Sequence, residues 1–454
     1  MRVLLINPPR SPFNAIYDHA PGEAQKYIHR KLIGPPLGLM TIATCLRDCD
    51  IDFLEMKGEY DLNPDAPSAE KMTEEAVNRL HPDIVGISVI TSEFNASIGI
   101  LQKVRSLNPE ILTVAGGLHA TLCPQDFNLD CIDLIVSGHG VSSFQKIIDS
   151  YKNGRPPGKS LFGMFRHIGG IFIRTVDALQ PTGIPEESFD IGGRNFIYPK
   201  RLWVEKWKDT YKAGGSPFPS TYIFTSLSCP YRCSFCSIWP QYRENYTQRN
   251  VESVIDELKS VPEYPIVRFS DANTLVDPVF ANLLCSRIEE EGIKKTYIMD
   301  IRTDFAVKYP EIISRFARAG LKVVISGFES FREEELKKYN KSQDAVLIKK
   351  AVQIFHSHGI MVRGNYVIPP DYTEKDFEEL AAFSHANRVS FAGYTILSPM
   401  PGTAFYSQVK QDIIDTDYRK YNFFNCVTKT ILPLEKFYEM TATLWLIKKG
   451  TDVI

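Results

Sequence analysis

SLSCPYRCSFCSIW, residues Ser226 to Trp239, places Cys229, Cys233 and Cys236 in a C-x3-C-x2-C run. The residues before it, Thr221 to Ser226, are β-branched and aromatic and predict a strand. Three thiols leaving a strand onto one short loop can grip a single metal centre. An iron–sulfur cluster held wholly by protein takes four thiolates. No fourth Cys lies nearby, and the next, Cys285, falls in an apolar helical pattern downstream. A structural zinc site also closes with four protein ligands. Three thiolates on a four-iron cluster leave one iron without a protein ligand.

Outward from the loop, apolar periodicity predicts helices at 251–258, 281–290, 312–319, 345–355 and 376–385. Between them, strands are expected at 266–269, 296–301, 323–325, 362–368 and 393–397. With the strand before Cys229 this makes six β/α units, too few to close an eight-stranded barrel. Polar residues gather at the carboxyl ends. They are Ser270, Asp271 and Asn273 after the second strand, Arg302 and Asp304 after the third, and Glu329 after the fourth, with Asn365 on the fifth. Each could instead cap the next helix or pair with its neighbour.

Upstream, Val3–Ile6, Ile51–Met56, Ile84–Ile90, Ile111–Ala115 and Leu134–Val136 are apolar runs expected as strands. Helical patterns at 37–47, 68–80, 96–104 and 142–151 alternate with them, while residues between Pro8 and Pro36, through His19 and His29, are expected as a long loop. The alternation predicts a parallel, doubly wound sheet that binds ligands at the carboxyl ends of its strands. Those ends carry Asn7-Pro8, Thr91-Ser92, Gly116-Gly117 with His119, and Gly138-His139-Gly140. Tight turns alone would explain single glycines. Their placement on one rim points to backbone approaching a large ligand. Residues 154–215, rich in Pro and Gly (Gly154, Pro156-Pro157, Pro185, Gly215), are expected as a linker, with Gly170–Thr175 as one strand of a hairpin.

The cysteine spacing, with Tyr231, Phe235 and Trp239 interleaved, resembles the signature loop of the radical S-adenosylmethionine (SAM) superfamily. The opening INPP, the GPPLGL stretch and GGLHA are similar to the cobalamin-binding domain fused ahead of some members. The resemblance implies a [4Fe-4S] cluster on Cys229, Cys233 and Cys236, whose open iron chelates SAM and whose electron cleaves it to a 5′-deoxyadenosyl radical. It also implies SAM contacts at Phe235, Ser270, Asp271, Asn273, Arg302, Asp304, Glu329 and Asn365. Cobalamin contacts are implied at Asn7, Pro8, Thr91, Ser92, Gly116, Gly117, His119, Gly138, His139 and Gly140. The chain departs from cobalamin proteins that carry D-x-H-x-x-G, whose histidine binds cobalt. No such motif is present, which leaves His119 as a cobalt ligand, a contact to the nucleotide tail, or a residue packed in its turn. An LPLEKFY-like stretch, Leu432–Tyr438, also resembles radical SAM hopanoid methylases.

The expected fold is α/β. It comprises a Rossmann-like cobalamin-binding domain (1–153), the linker (154–215), a (β/α)6 partial TIM barrel (216–410) and a helical C-terminal region (411–454). The expected activity is cobalamin-dependent methyl transfer, in which the radical abstracts hydrogen from an unactivated carbon and methylcobalamin donates the methyl. Cyclisation or rearrangement without methyl transfer is the alternative, and a zinc-holding cobalamin sensor a distant one. A flavodoxin or ferredoxin would supply electrons. The 454 residues carry a net charge of −2, without the basic excess of nucleic-acid binders. Nine cysteines, no leader-like apolar core in MRVLLINPPR and no run of membrane-span length predict a cytoplasmic protein. An open iron also predicts an anaerobic setting. The substrate class stays open among lipid, peptide side chain and secondary metabolite.

Overall fold

The apolar runs do form parallel strands, in two separate sheets, each with its own core. The computed structural model describes residues 1–28, 34–152, 160–175, 178–184, 190–193, 196–213, 216–243 and 245–447. The readings of His29, Gly154, Pro156-Pro157, Pro185 and Gly215, the boundary at 153–154 and the last residues of the C-terminal region, 448–454, lie outside these residues. The chain divides into two units: Met1–Ser11, Pro35–Thr210 and Pro240–Arg243 in one, and Pro12–Gly34, Tyr211–Trp239 and Glu244–Ile454 in the other. No helix among the described residues is long and apolar enough to cross a membrane.

The first unit is built on β1 (Arg2–Asn7), β2 (Asp50–Glu55), β3 (Ile84–Ser88), β4 (Leu112–Gly116) and β5 (Leu134–Val136), all parallel in the order β2-β1-β3-β4-β5. Their near-continuous apolar runs are buried on both faces, as helices on each side require. The chain passes from β1 outward to β2, then returns past β1 to β3. The crevice of such a sheet therefore opens at the carboxyl ends of β1 and β3. Helix Ala69–Leu80 starts where expected, with Lys71 N donating to Ser68 Oγ at 3.3 Å. Helix Met56–Leu62, which follows β2 without a loop, was not expected from periodicity. Within the residues read as a linker, β6 (Ile171–Arg174) and β7 (Leu179–Pro181) extend this sheet antiparallel from β5. A 3-10 helix, Arg201–Thr210, also packs here and buries Trp207.

The second unit holds β8 (Ser220–Ile223), β11 (Ile266–Phe269), β12 (Thr296–Asp300), β13 (Leu321–Glu329), β14 (Met361–Ile368) and β15 (Phe391–Ile396). They form one six-stranded, all-parallel sheet in the order β15-β14-β13-β12-β11-β8. Alternate positions face opposite sides. Val267, Met299, Val324 and Val362 pack outward on helical residues such as Ile255, Leu284, Ile313 and Phe355. Ile266, Ile298, Val323, Ile325 and Met361 face inward and fill the floor of the lumen. A small antiparallel pair, β9 (Ser226–Leu227) with β10 (Thr247–Gln248), closes the base of the cysteine loop.

Residues 12–28 depart from the expected loop. Helices Ala15–Asp18 and Gly22–Ile28 form there, the first capped by Asn14, whose Oδ1 accepts from Tyr17 N at 3.1 Å. Ile16, Ala20, Ala24 and Ile28 recur every fourth residue and are all buried in the second unit's core. The segment is tied to the C-terminal region, Ile16 N donating to Phe424 O at 3.2 Å and Ala15 N to Asn425 Oδ1 at 2.9 Å. Helix Leu434–Leu444 buries Phe437 and Tyr438 against the same core.

Arg249 and Glu257 are the most enclosed ion pair of this unit, 2.5 Å apart with neither side chain exposed. Arg249 also donates to Phe224 O and Ser253 O, each at 2.8 Å, so it fixes the backbone leading into the cysteine loop. Removing one partner leaves the other charge buried and uncompensated, at a cost of about 3–5 kcal/mol. Glu257→Ala is expected to lose stability of that order in denaturant unfolding, whereas the Arg249→Met/Glu257→Leu double variant loses much less. Equal losses for the two would contradict this.

Candidate functional site

The cysteine loop leaves β9 through Ser228, a non-glycine residue at φ +68°, a conformation that side chains other than glycine rarely adopt. Ser228 is buried, and its Oγ has no hydrogen-bond partner among the described residues. The loop then turns, Cys236 N donating to Cys233 O at 3.2 Å and Trp239 Nε1 to the same oxygen at 2.9 Å. Segment 338–340 holds it from one side. Asn340 Nδ2 donates to Arg232 O at 2.8 Å, and Ser234 N to Tyr339 O at 3.1 Å. Phe235 is half-buried edge-on to Tyr339 at 5.6 Å and packs with Val367, Leu397 and Phe405. The aromatics interleaved with the cysteines thus anchor the loop.

Strand ends complete the surround, and they divide by role. Asp271 is buried, and its two oxygens accept from Thr225 N (2.7 Å), Thr225 Oγ1 (3.1 Å), Ser226 N (2.7 Å) and Ser226 Oγ (3.0 Å). It was expected to meet an ammonium; instead its acceptor sites are taken by the strand that launches the loop. Burial raises its carboxyl to about 6 against those bonds. Arg302 is likewise committed. Its guanidinium lies 3.7 Å from the Tyr231 ring centroid, pairs with Asp304 at 2.8 Å, and donates to Ser342 O at 3.4 Å. Glu329, at φ +60° where β13 and β14 shift register, pairs with Lys341 at 2.7 Å. Asn365 Oδ1 accepts from Arg363 Nε at 3.3 Å, and Ser270 is exposed.

Asn273 stands apart. It is buried, yet neither its Nδ2 nor its Oδ1 has a hydrogen-bond partner among the described residues. A buried amide without partners costs one to several kcal/mol, a cost that a polar ligand would relieve. Of the residues at this rim, Asn273 best fits a ligand contact.

The donor set fits an iron–sulfur cluster. Burial raises all three thiols, Cys236 to about 11, and the neighbouring cysteines add to this at Cys236. Arg302 and Lys341 pull the other way at Cys229 and Cys233. Those cations would favour bound thiolates, since iron binds the deprotonated form.

In the first unit the crevice rim carries charges that residue patterns did not single out. Asn7 Nδ2 donates to Glu55 Oε2 at 2.6 Å, and Lys57 Nζ to Asn7 Oδ1 at 3.3 Å. Lys57 also pairs with Glu93 at 2.8 Å. Glu55 is fully buried, its carboxyl raised by burial to about 7. An acid closing the apolar end of β2 was the available signal. Pro8 is buried next to Asn7 in sequence, and Thr91 and Ser92 just before Glu93.

His119 is enclosed by its own turn and neighbours. It is 1% exposed, enclosed by Phe94 and Phe127 at 5.1 and 5.5 Å, with Nδ1 3.2 Å from Thr91 Oγ1 and Nε2 3.2 Å from Asp126. Both ring nitrogens thus face protein side chains of the turn. Gly117, at φ +97°, is required by close approach, since a Cβ there would lie 2.6 Å from Val89 N. Gly116 is less confined, its nearest neighbour being Val136 O at 3.6 Å. Gly138 and Gly140 flank His139 at φ +79° and +73°, and space is open around Gly138. The His139 ring lies 5.5 Å from that of Tyr242, tilted by 49°, and burial lowers its pKa to about 4, so it is neutral at physiological pH.

Comparison with known proteins bears on both units. A B12 binding domain model matches residues 27–148, and a radical SAM superfamily model matches residues 223–384. An uncharacterized methyltransferase of Pyrococcus horikoshii is 27% identical over 416 residues, spanning 87% of this chain and 83% of the relative. The hopanoid C-3 methylase of Methylococcus capsulatus is 24% identical, spanning 91% and 76%. An anaerobic magnesium-protoporphyrin IX monomethyl ester cyclase of Rubrivivax gelatinosus is 25% identical, spanning 80% and 64%. Among solved structures, the radical SAM methyltransferase TsrM of Kitasatospora setae has the same fold. Its TM-score is 0.66 at 17% identity, over 97% of this chain and 83% of that one.

Two outcomes follow from the geometry. Asp271→Ala releases Thr225 and Ser226 and is expected to halve, or more, the iron bound per chain after reconstitution, while Ser270→Ala leaves it unchanged. Iron content near wild type in Asp271→Ala would contradict the clamp. Glu55, raised from 4.5 to about 7, favours folding below pH 4.5, and that contribution is lost as pH rises through 7. Glu55→Gln should therefore gain thermal stability relative to wild type between pH 5 and 8, and a pH-independent difference would rule this out.

Proposed function

We propose that this chain, which belongs to the radical SAM superfamily and carries a B12 binding domain ahead of the radical SAM domain, is a cobalamin-dependent methyltransferase acting on carbon. The observation that carries the reading is the cysteine triad. Three thiols, with no fourth cysteine nearby, sit among the ends of β11, β12 and β13 in a chain that also matches a B12 binding domain. When bound, the cluster supplies the electron that splits SAM and the corrinoid carries the methyl group. The names of two relatives, a methyltransferase and a carbon methylase, support methyl transfer. The cyclase among the relatives keeps ring formation as the competing outcome.

The residues have separable tasks in this reading. Cys229, Cys233 and Cys236 hold the cluster. Asp271, Phe235, Arg302 and Asp304 position the loop, and Asn273 offers its free amide to the methionyl end of SAM. Glu329, held by Lys341 in its left-handed conformation, and Asn365 face the rest of that molecule. In the first unit, Asn7, Pro8, Thr91, Ser92, Gly116, Gly117 and the Gly138-His139-Gly140 turn border the corrinoid. Their neutral or internally paired groups suit a large ligand of low charge density. A flavodoxin or ferredoxin of the cytoplasm is the electron donor.

The test uses anaerobically purified, cluster-reconstituted protein with hydroxocobalamin, SAM and a reductant. Methylcobalamin in the absorption spectrum, formed with S-adenosylhomocysteine, is the expected result. Binding of cobalamin with 5′-deoxyadenosine as the only SAM product would transfer the assignment to cyclisation or rearrangement.

A further inference from the structure

Above the apolar floor of the second unit's lumen lies a charged layer. By strand alternation, Arg268 of β11 faces inward with Ile266, Asp300 of β12 with Ile298, and Arg363 and Asn365 of β14 with Met361. Arg268 Nη2 pairs with Asp300 Oδ2 at 3.1 Å, and its guanidinium lies 5.9 Å from the Tyr222 ring centroid. The buried Nε of Arg268 has no hydrogen-bond partner among the described residues. Arg363 pairs with no carboxylate there. Its one side-chain hydrogen bond among the described residues is from Nε to Asn365 Oδ1, at 3.3 Å. Burial, and then Arg268 beside it, lowers the Arg363 pKa, with Asp300 opposing.

Two guanidiniums therefore share one carboxylate in an enclosed layer. The charges nearer the strand ends do not supply the missing anion, because Arg302 is paired with Asp304 and Lys341 with Glu329. An uncompensated cation inside a protein is costly, and arginine forks suit carboxylate and phosphate oxygens. Room beside Arg363 is preserved by a glycine. A Cβ at Gly393 of β15 would come within 2.5 Å of Asn365 Oδ1 and 3.4 Å of Arg363 Nη2.

We propose that Arg363 and Arg268 form an oxyanion subsite in the lumen, which takes a carboxylate or phosphate group of the substrate. This deepens the methyltransferase reading and rests on it for the word substrate. Asn365 orients Arg363, and Asp300 limits the surplus to one charge. SAM also carries a carboxylate, so the test must separate the two sources.

Acetate and inorganic phosphate are titrated against chloride at constant ionic strength into cluster-loaded, full-length protein, with thermal unfolding as readout. SAM affinity is measured on the same preparations by equilibrium dialysis. Wild type should be stabilised by at least one of the two oxyanions. Arg363→Met should weaken that apparent affinity about tenfold or more, and Asp300→Asn should strengthen it. SAM affinity should hold within about threefold in both. An unchanged oxyanion response in Arg363→Met, or a weaker one in Asp300→Asn, would overturn the subsite. A loss of SAM affinity in Arg363→Met that matches the oxyanion loss would assign the layer to SAM and overturn the substrate claim. If Arg363→Met fails to retain its cluster, Asp300→Asn alone decides. Failure to form methylcobalamin in wild type would sink the methyltransferase reading and leave the oxyanion result intact.

Discussion

The carboxylate of Asp271, sealed under the start of the cysteine loop, is the contact on which the second unit's chemistry depends. It ties two backbone amides and two hydroxyls of Thr225 and Ser226 to the end of β11. It braces the residues just ahead of Ser228, whose φ of +68° is strained. Arg249 grips the same stretch from behind, through Phe224 O, and its own amide donates to Thr225 O at 2.8 Å. A metal cluster needs its ligands placed before it arrives, and this preorganisation comes from buried charge rather than from the cysteines.

The same economy explains the rim. Arg302 stacks on Tyr231 and pairs with Asp304, and Lys341 pairs with Glu329, so the cations beside the thiols are kept in place by partners of their own. Each pair is neutral as a whole, yet it brings a positive end near the thiols, where burial would otherwise keep them protonated. Asn273 and Arg268, by contrast, carry buried polar atoms without a hydrogen-bond partner among the described residues.

Much of this was legible in the sequence, because strands buried on both faces read as unbroken apolar runs and helices as periodic ones. The six strands of the second sheet and the five parallel strands of the first fall where those runs lie. What escaped was decided at long range. The helices in residues 12–28 are short and gain their stability from the second unit's core, although Ile16, Ala20, Ala24 and Ile28 carried the spacing. The hairpin of β6 and β7 needs β5 as a template. For the site, residue type and strand-end position located Asp271, Arg302 and His119 but could not say whether each faces a ligand or a neighbour. A carboxylate's partners are set by tertiary contacts, and so Asp271 and His119 turned out to brace backbone and ring. Glu55, Lys57 and Glu93 come together from two different strand ends, which no local pattern records.

The central claim is that the three cysteines hold a cluster with one iron open to SAM. Electron paramagnetic resonance of the reduced, reconstituted protein, with SAM carrying 15N in its amino group and 17O in its carboxylate, tests it most directly. The account predicts hyperfine coupling from both labels to the cluster spin, lost in Cys233→Ala. A cluster spectrum indifferent to SAM, or a protein that retains zinc and no iron after anaerobic reconstitution, would contradict it.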